Sequence, residues 1–120
     1  MTRQTGGRTD PESAVECCSV PAAPDDDQLA ADVQLLSALG NDTRYEALRI
    51  VAGAEDGVCV CQLQPALGVS QGAVSQALSR LRSAGLVTRR KEGRWRYYSA
   101  TESATALLAT LDDLRGDGSE

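Results

Sequence analysis

Apolar residues recur along this chain with two different periods, and the periods divide it into elements. Leu29, Val33, Leu36 and Leu39 fall at three- and four-residue spacing, which is one stripe on a helix. Asp25, Asp26 and Asp27 ahead of the stripe supply an N-cap and first-turn anions, so a helix is expected from there to about Leu39. Gly40-Asn41-Asp42 interrupts it and caps the next. A second helix is expected over residues 43–52, with Leu48 and Val51 facing inward and Gly53 as its stop. Residues 57–61 read as a short extended piece, which sends Cys59 and Cys61 to one side and Val58 and Val60 to the other. Residues 62–67 read as a short helix with Pro65 in its first turn, where a missing N–H costs little.

Gly68 reads as a turn and Ser70 as the N-cap of the following helix. There Val74, Leu78 and Leu81 line one face, and Gln71, Ser75, Gln76, Ser79, Arg80 and Arg82 occupy the other. Gly85 ends that helix at a C′ position. The period then changes from helical to two. Residues 86–91 and 94–99 alternate across Glu92-Gly93, the signature of a β-hairpin. Thr101 caps a last helix that carries Leu107, Leu108, Leu111 and Leu114.

The predicted architecture is mainly α with a small β-hairpin: a winged helix-turn-helix with additional N- and C-terminal helices. Both outer helices are amphipathic in a chain with little other core, so each is expected to complete its burial against a second subunit, in a homodimer. Residues 1–24 are rich in Gly, Ser, Thr and Pro without periodicity and read as a flexible arm carrying Cys17 and Cys18. Residues 25–115 then form the winged helix-turn-helix domain, and residues 116–120 a disordered tail.

Composition narrows the classes. At 120 residues the chain can bury one core and has no room for a catalytic domain beside a regulatory one. It has one Trp, three Tyr and no Phe, so the core must come from Leu, Val and Ala. No apolar run reaches the roughly 20 residues that span a bilayer, and no apolar leader suggests secretion. A cytoplasmic protein without a membrane partner is expected, with its cysteines reduced.

Charge is unevenly spread. Residues 1–43 carry eight acids against Arg3 and Arg8, whereas residues 80–96 carry seven bases against Glu92. The overall net charge of −5 hides a basic patch suited to a phosphate backbone. Eleven of the twelve bases are Arg. An acidic, Arg-biased chain suits a salt-adapted cytoplasm, although high-GC codon usage gives the same excess.

The polar face of the 70–83 segment offers Ser70, Gln71, Gly72, Ser75, Gln76 and Ser79 and then Arg80 and Arg82. Gln can pair bidentately with adenine and Ser serves several base edges. An ordinary solvated helix face would look similar; the Gly68 turn before it and the basic hairpin after it favour double-stranded DNA. Arg90, Lys91, Arg94 and Arg96 on the hairpin would hold phosphates or enter the minor groove, fixing register rather than sequence. Gly72 admits two readings, close approach to a duplex or tight helix packing.

The four cysteines form two close pairs, Cys17-Cys18 and Cys59-Val60-Cys61, in a chain with no histidine. Cysteine is among the most buried residue types, so a core role competes for Cys59 and Cys61. Nothing around Cys17 and Cys18 could form a core to give them such a role. Thiolates without imidazole select soft acceptors: As(III), Sb(III), Cd(II), Pb(II), or Zn(II) in an all-sulfur site. The lack of His removes Ser–His and Cys–His catalysis, and Cys-x-Cys lacks the Cys-x-x-Cys helix-start spacing of thiol oxidoreductases. No enzyme is expected.

Three stretches carry a specific resemblance. Leu35-Leu36-Ser37-Ala38-Leu39-Gly40-Asn41-Asp42-Thr43-Arg44, Val58-Cys59-Val60-Cys61-Gln62-Leu63 and Leu67-Gly68-Val69-Ser70-Gln71 resemble the ArsR/SmtB family of metal-sensing repressors, as does Glu92-Gly93-Arg94-Trp95-Arg96-Tyr97-Tyr98 in the wing. The resemblance spans roughly residues 30–100. It implies a homodimeric repressor of a metal- or metalloid-resistance operon that leaves a palindromic operator when an ion binds. It also implies thiolate ligation by Cys59 and Cys61, and by an arm pair preceded by Glu, as in Glu16-Cys17-Cys18. As(III) or Sb(III) is the expected inducer, with three sulfurs drawn from Cys17, Cys18 and Cys59 and with Cys61 as a possible substitute.

The chain departs from the family pattern twice, with Thr43 where the family has Pro and Gln62 where it has an acid. The family's second site, on the last helix, needs His beside carboxylates such as Asp112 and Asp113, and is rejected here. Two alternatives stay open: a four-cysteine Cd(II), Pb(II) or Zn(II) sensor, and a thiol-disulfide redox sensor joining arm to body.

Overall fold

A computed structural model describes residues 20–116 of the chain. Cys17 and Cys18, most of the expected arm and the expected tail from residue 117 lie outside the described residues. Helix α1 (Asp26–Leu39) starts where Asp25 accepts the Gln28 backbone N–H at 2.7 Å. Helix α2 (Asp42–Ala52) starts where Asn41 accepts the Arg44 N–H at 3.0 Å. The Arg44 side chain then reaches back to the last turn of α1. Its Nε donates to the Ala38 carbonyl at 2.8 Å and its Nη2 to that of Ser37 at 3.0 Å. One cation thereby satisfies the end of one helix and fixes the angle of the next.

Strand β1 is only Val58–Cys59, and helix α3 (Val60–Leu67) begins at once. This corrects the extended reading of residues 57–61. Val58 and Cys59 are both buried, while Cys61 is exposed in the first turn of α3. Because α3 starts two residues earlier than expected, Pro65 falls in its second turn, not its first. The cost is small in so short a helix, since only the Cys61 carbonyl is denied its i+4 N–H.

Gly68, at φ +70°, ends α3 in the left-handed region that glycine tolerates best. Ser70 accepts the Ala73 N–H at 3.1 Å and starts helix α4 (Gln71–Ser83). Helices α3 and α4 are the helix-turn-helix, and α2 and α3 both pack on α4. Val74, Leu78 and Leu81 are fully buried beneath it.

Strands β2 (Val87–Glu92) and β3 (Trp95–Ala100) form the hairpin, one residue later than the alternation suggested, with Gly93 and Arg94 as the turn. Strand β1 joins the outer side of β3, giving an antiparallel sheet of order β1-β3-β2. Gly57 makes that third strand possible. Its φ is +94°, and a Cβ there would come within 3.0 Å of Ser99 Oγ and 3.1 Å of the Tyr98 carbonyl. Thr101 caps helix α5 (Glu102–Arg115), of which Ala104 and Leu108 are buried.

The core is a single cluster in which Leu48, Val51, Leu63, Val74, Leu78, Leu81, Leu86 and Val87 are fully buried. It leaves out much of the α1 stripe: Leu29, Val33 and Leu36 are exposed. No helix among the described residues is long and apolar enough to cross a membrane.

Candidate nucleic-acid interface and cysteine site

The polar face of α4 is as the sequence suggested. Gln71, Ser75, Gln76, Ser79, Arg80 and Arg82 are all exposed, on the side opposite the buried Val74 and Leu78. Ser70 is also exposed, but its Oγ already accepts the Ala73 N–H. A Cβ at Gly72 would meet nothing nearer than Ser70 Oγ at 3.9 Å. Packing within the chain therefore does not require glycine there. A groove of about 500 Å³ runs between the start of α2 and this helix, lined by Thr43, Arg44, Gln76, Ser79 and Arg80 among others.

In the wing, the register sorts the cations onto different faces. Residues directly opposite share a face and neighbours along a strand alternate. Lys91 pairs with Arg96, so two cations sit side by side on one face. Neither makes an ion pair among the described residues. Like charges directly opposed repel, and an anion bridging them would relieve the strain. Arg94 projects from the turn and is exposed.

Arg90 behaves differently. It shares the other face with Tyr97, Glu92 and Trp95. Its Nε donates to Glu92 Oε2 at 3.0 Å, its Nη2 to the Asp56 carbonyl at 3.4 Å, and its guanidinium lies 5.1 Å from the Tyr97 ring centre. The sequence grouped Arg90 with Lys91, Arg94 and Arg96; the structure turns it away from them and ties it to the loop before β1.

The cysteines lie on that same face. Cys59 is directly opposite Tyr97. It is buried among the core residues, next to the main apolar cluster and not within it. Cys59 also caps α3: Gln62 Oε1 accepts the Cys59 N–H at 3.0 Å, the return half of a capping box. An acid at residue 62 would set a negative charge beside the sulfur; Gln62 holds the same geometry without one.

Cys61 follows on the first turn of α3, and its sulfur is joined to that of Cys59 in a disulfide, with the Cα atoms 5.4 Å apart. The local reason is proximity: the backbone turns from strand to helix between the two residues and swings both sulfurs into one groove. Cys59 and Cys61 thus line the same groove through this turn, not through strand alternation. Among the described residues no three or more Cys, His, Asp or Glu side chains gather as a metal site. The pair offers two sulfurs, with no third such ligand beside them among the described residues.

The sequence reading missed three residues of this groove. Gln62 had been noted only as a departure, and Trp95 and Tyr97 only as part of a motif. The alternation of β3 could have put Trp95 and Tyr97 on one face, but nothing local could show that β1 would add itself beside them.

Asp112, on α5, is engaged elsewhere. Its carboxylate accepts from Arg49 and from Arg115, each at 2.6 Å. The hydrogen bond from Arg49, against some desolvation, holds the Asp112 carboxyl below its ordinary value, and the same bond raises the Arg49 guanidinium. Arg49 is further held by the Tyr45 hydroxyl at 2.8 Å. Asp112 thus joins α5 to α2 as a structural tie.

Comparison with known proteins gives a consistent picture. Residues 41–89 match the family described as bacterial regulatory protein, arsR family. The chain is 66% identical over 101 residues, covering 84% of it and 85% of its relative, to a putative arsenical resistance operon repressor of Halobacterium salinarum. It is 46% identical over 118 residues, 96% of this chain and 92% of the other, to a second protein of that organism with the same description. A solved structure from Mycobacterium bovis, described as a homodimeric winged helix-turn-helix DNA-binding domain, superposes with TM-score 0.70 at 26% identity, covering 82% and 93% of the two chains.

Proposed function

The chain belongs to the arsR family of bacterial regulatory proteins, and we propose that it represses an arsenical resistance operon and releases its operator when As(III) or Sb(III) is taken up by cysteine thiolates. It is a transcription regulator, not an enzyme. It acts in the cytoplasm as a homodimer, each α4 entering a major groove of one half-site. Gln71, Ser75, Gln76 and Ser79 read base edges; Arg80, Arg82, Lys91, Arg94 and Arg96 hold phosphates, with Ser70 and Gly72 at the close approach.

The single observation that carries the sensing half is the position of Cys59. It is at once the last residue of β1, paired with the wing strand, and the N-cap of the first helix of the helix-turn-helix. An ion that draws on its sulfur pulls on both DNA-contacting elements. Cys17 and Cys18 bring two more sulfurs from the arm, completing the three-thiolate pyramid that As(III) prefers. Clearing a promoter from mostly bound to mostly free takes about 5.5 kcal/mol of differential binding.

The test is a gel shift on DNA upstream of its own gene, titrated with arsenite, antimonite, cadmium and zinc. Release by arsenite and antimonite at the lowest concentrations is expected. Release by cadmium or zinc first would favour a four-sulfur site built from all four cysteines, for Cd(II), Pb(II) or Zn(II). A second reading has its own observation, the Cys59–Cys61 disulfide: a thiol-disulfide sensor would release DNA on peroxide treatment and ignore arsenite.

A further inference from the structure

The groove between α2 and α4 is free of carboxylates in an acidic chain. The sequence has 17 acids and 12 bases, yet no acid lines this space of about 500 Å³. Two guanidiniums, Arg44 and Arg80, line it with three neutral donors, Thr43, Gln76 and Ser79. The acids of α2, Asp42 and Glu46, are exposed and lie outside the lining.

Local structure brings these groups together. Gln76, Ser79 and Arg80 fall three and four residues apart, so they share one flank of α4. Thr43 precedes the buried Ala47 by one turn, which places it on the packed side of α2. Arg44 cannot swing away, because its Nε and Nη2 are held by the Ala38 and Ser37 carbonyls. Only its Nη1 is left without a partner among the described residues.

The other donors are uncommitted as well. Thr105 and Thr110, inside α5, turn their hydroxyls onto carbonyls of their own helix at 3.2 and 3.0 Å. Thr43 is the second residue of α2 and has no earlier turn of that helix behind it. Its hydroxyl makes no hydrogen bond among the described residues, and neither do the side chains of Gln76 and Ser79. Arg80 makes no ion pair there.

Fixed cations beside neutral donors, with no carboxylate, select an anion, and a phosphate accepts from both kinds. The groove shares Gln76, Ser79 and Arg80 with the reading face of α4, so the phosphate within reach belongs to the DNA being read. We propose that this groove seats one backbone phosphate of each operator half-site, and that Thr43 is a positioning contact in it. The Thr43 hydroxyl donates to a phosphate oxygen beside Arg80, and Arg44 supplies a second charge. The inference rests on the reading of α4 as the DNA-reading helix. Because α2 packs on α4, the seat fixes the angle of α4 on the duplex. No wing residue lines it, so it acts separately from the wing.

The experiment uses the full chain and duplexes of its operator in which single phosphates are replaced by neutral methylphosphonates. One position per half-site is expected at which the replacement weakens binding of the unmodified chain and costs Thr43→Val clearly less. On unmodified DNA, Thr43→Val should bind roughly two- to tenfold more weakly, the worth of one hydrogen bond, on operator and scrambled sequence alike. Thr43→Ser keeps the hydroxyl and should bind as the unmodified chain does. Lys91→Ala should keep the full penalty at that phosphate. Melting curves of the Thr43 variants should coincide, which separates a lost contact from a damaged fold.

Equal penalties at every phosphate in Thr43→Val and the unmodified chain overturn the proposal, as does a Thr43→Ser variant as weak as Thr43→Val. Inorganic phosphate that displaces DNA more strongly than chloride at equal ionic strength, an effect lost in Thr43→Val, would make this a site for free phosphate and overturn the backbone assignment. A chain that binds no DNA overturns the reading of α4 and this one with it. One that binds while Thr43→Val is indistinguishable from it overturns this inference alone.

Discussion

Cys59 lies directly across from Tyr97 in the pairing of β1 with β3. Tyr97 in turn lies across from Arg90 on β2, and Arg90 reaches back to the carbonyl of Asp56 ahead of β1. Cys59, the wing and the loop before the helix-turn-helix thus form one closed circuit of strand pairing, ring contact and hydrogen bond. Motion at any of them is felt by the others.

The first prediction follows from that circuit. Cys59→Ser puts a hydroxyl, a good N-cap group, at the start of α3 and removes the soft ligand. Arsenite at concentrations that strip the unmodified protein from its operator should leave the variant bound, in a gel shift or by fluorescence anisotropy. Equal release would mean that Cys59 is not a ligand.

Much of the scaffold was legible because its signals are local. Asp25, Asn41, Ser70 and Thr101 each cap the helix they precede, and the stripe of Val74, Leu78 and Leu81 is buried as its spacing demands. The misreadings lie where long-range pairing decides. The turn from strand to helix between Cys59 and Cys61 exists because β1 is recruited by β3, some 40 residues later in the chain. Arg90 faces the cysteines, and Lys91 does not, because of hairpin register. Arg49 and Asp112 meet across a separation of 63 residues, beyond any periodicity.

The DNA-reading face separates two kinds of contact. Gln76→Ala should lower discrimination between the operator and altered sites by about 1–3 kcal/mol, the worth of one bidentate base contact. Lys91→Ala should weaken all sequences alike and reduce the slope of log K against log salt by about 1. Binding titrations at several salt concentrations on operator and scrambled DNA distinguish the two.

Asp112 gives a stability prediction with a definite pH sense. Its folded pKa is lowered, chiefly by the Arg49 hydrogen bond, so its stabilising effect is complete above the unfolded value of about 4 and disappears as pH falls through the lower folded one. Asp112→Asn should therefore melt slightly below the unmodified protein at neutral pH, and the two curves should converge in acid. The carboxylate is partly exposed, so molar salt should shrink the gap as well. Calorimetry across pH checks both; a gap that widens in acid would reverse the assignment.

The last prediction concerns the helices left bare. Leu29 is 47% exposed, Val33 56%, Leu36 64% and, on α5, Leu114 77%. The three on α1 form the stripe that the core does not cover, and burying each fully would contribute up to about 1.5–3 kcal/mol. A two-fold axis near this stripe would bring each residue close to its own copy. Val33→Glu/Leu36→Glu would then oppose carboxylates across the interface while leaving the monomer core untouched. Sedimentation should show the variant as a monomer where the unmodified chain is a dimer. Operator affinity should drop steeply, because two half-sites are no longer engaged together. A variant that still sediments as a dimer would move the interface away from α1.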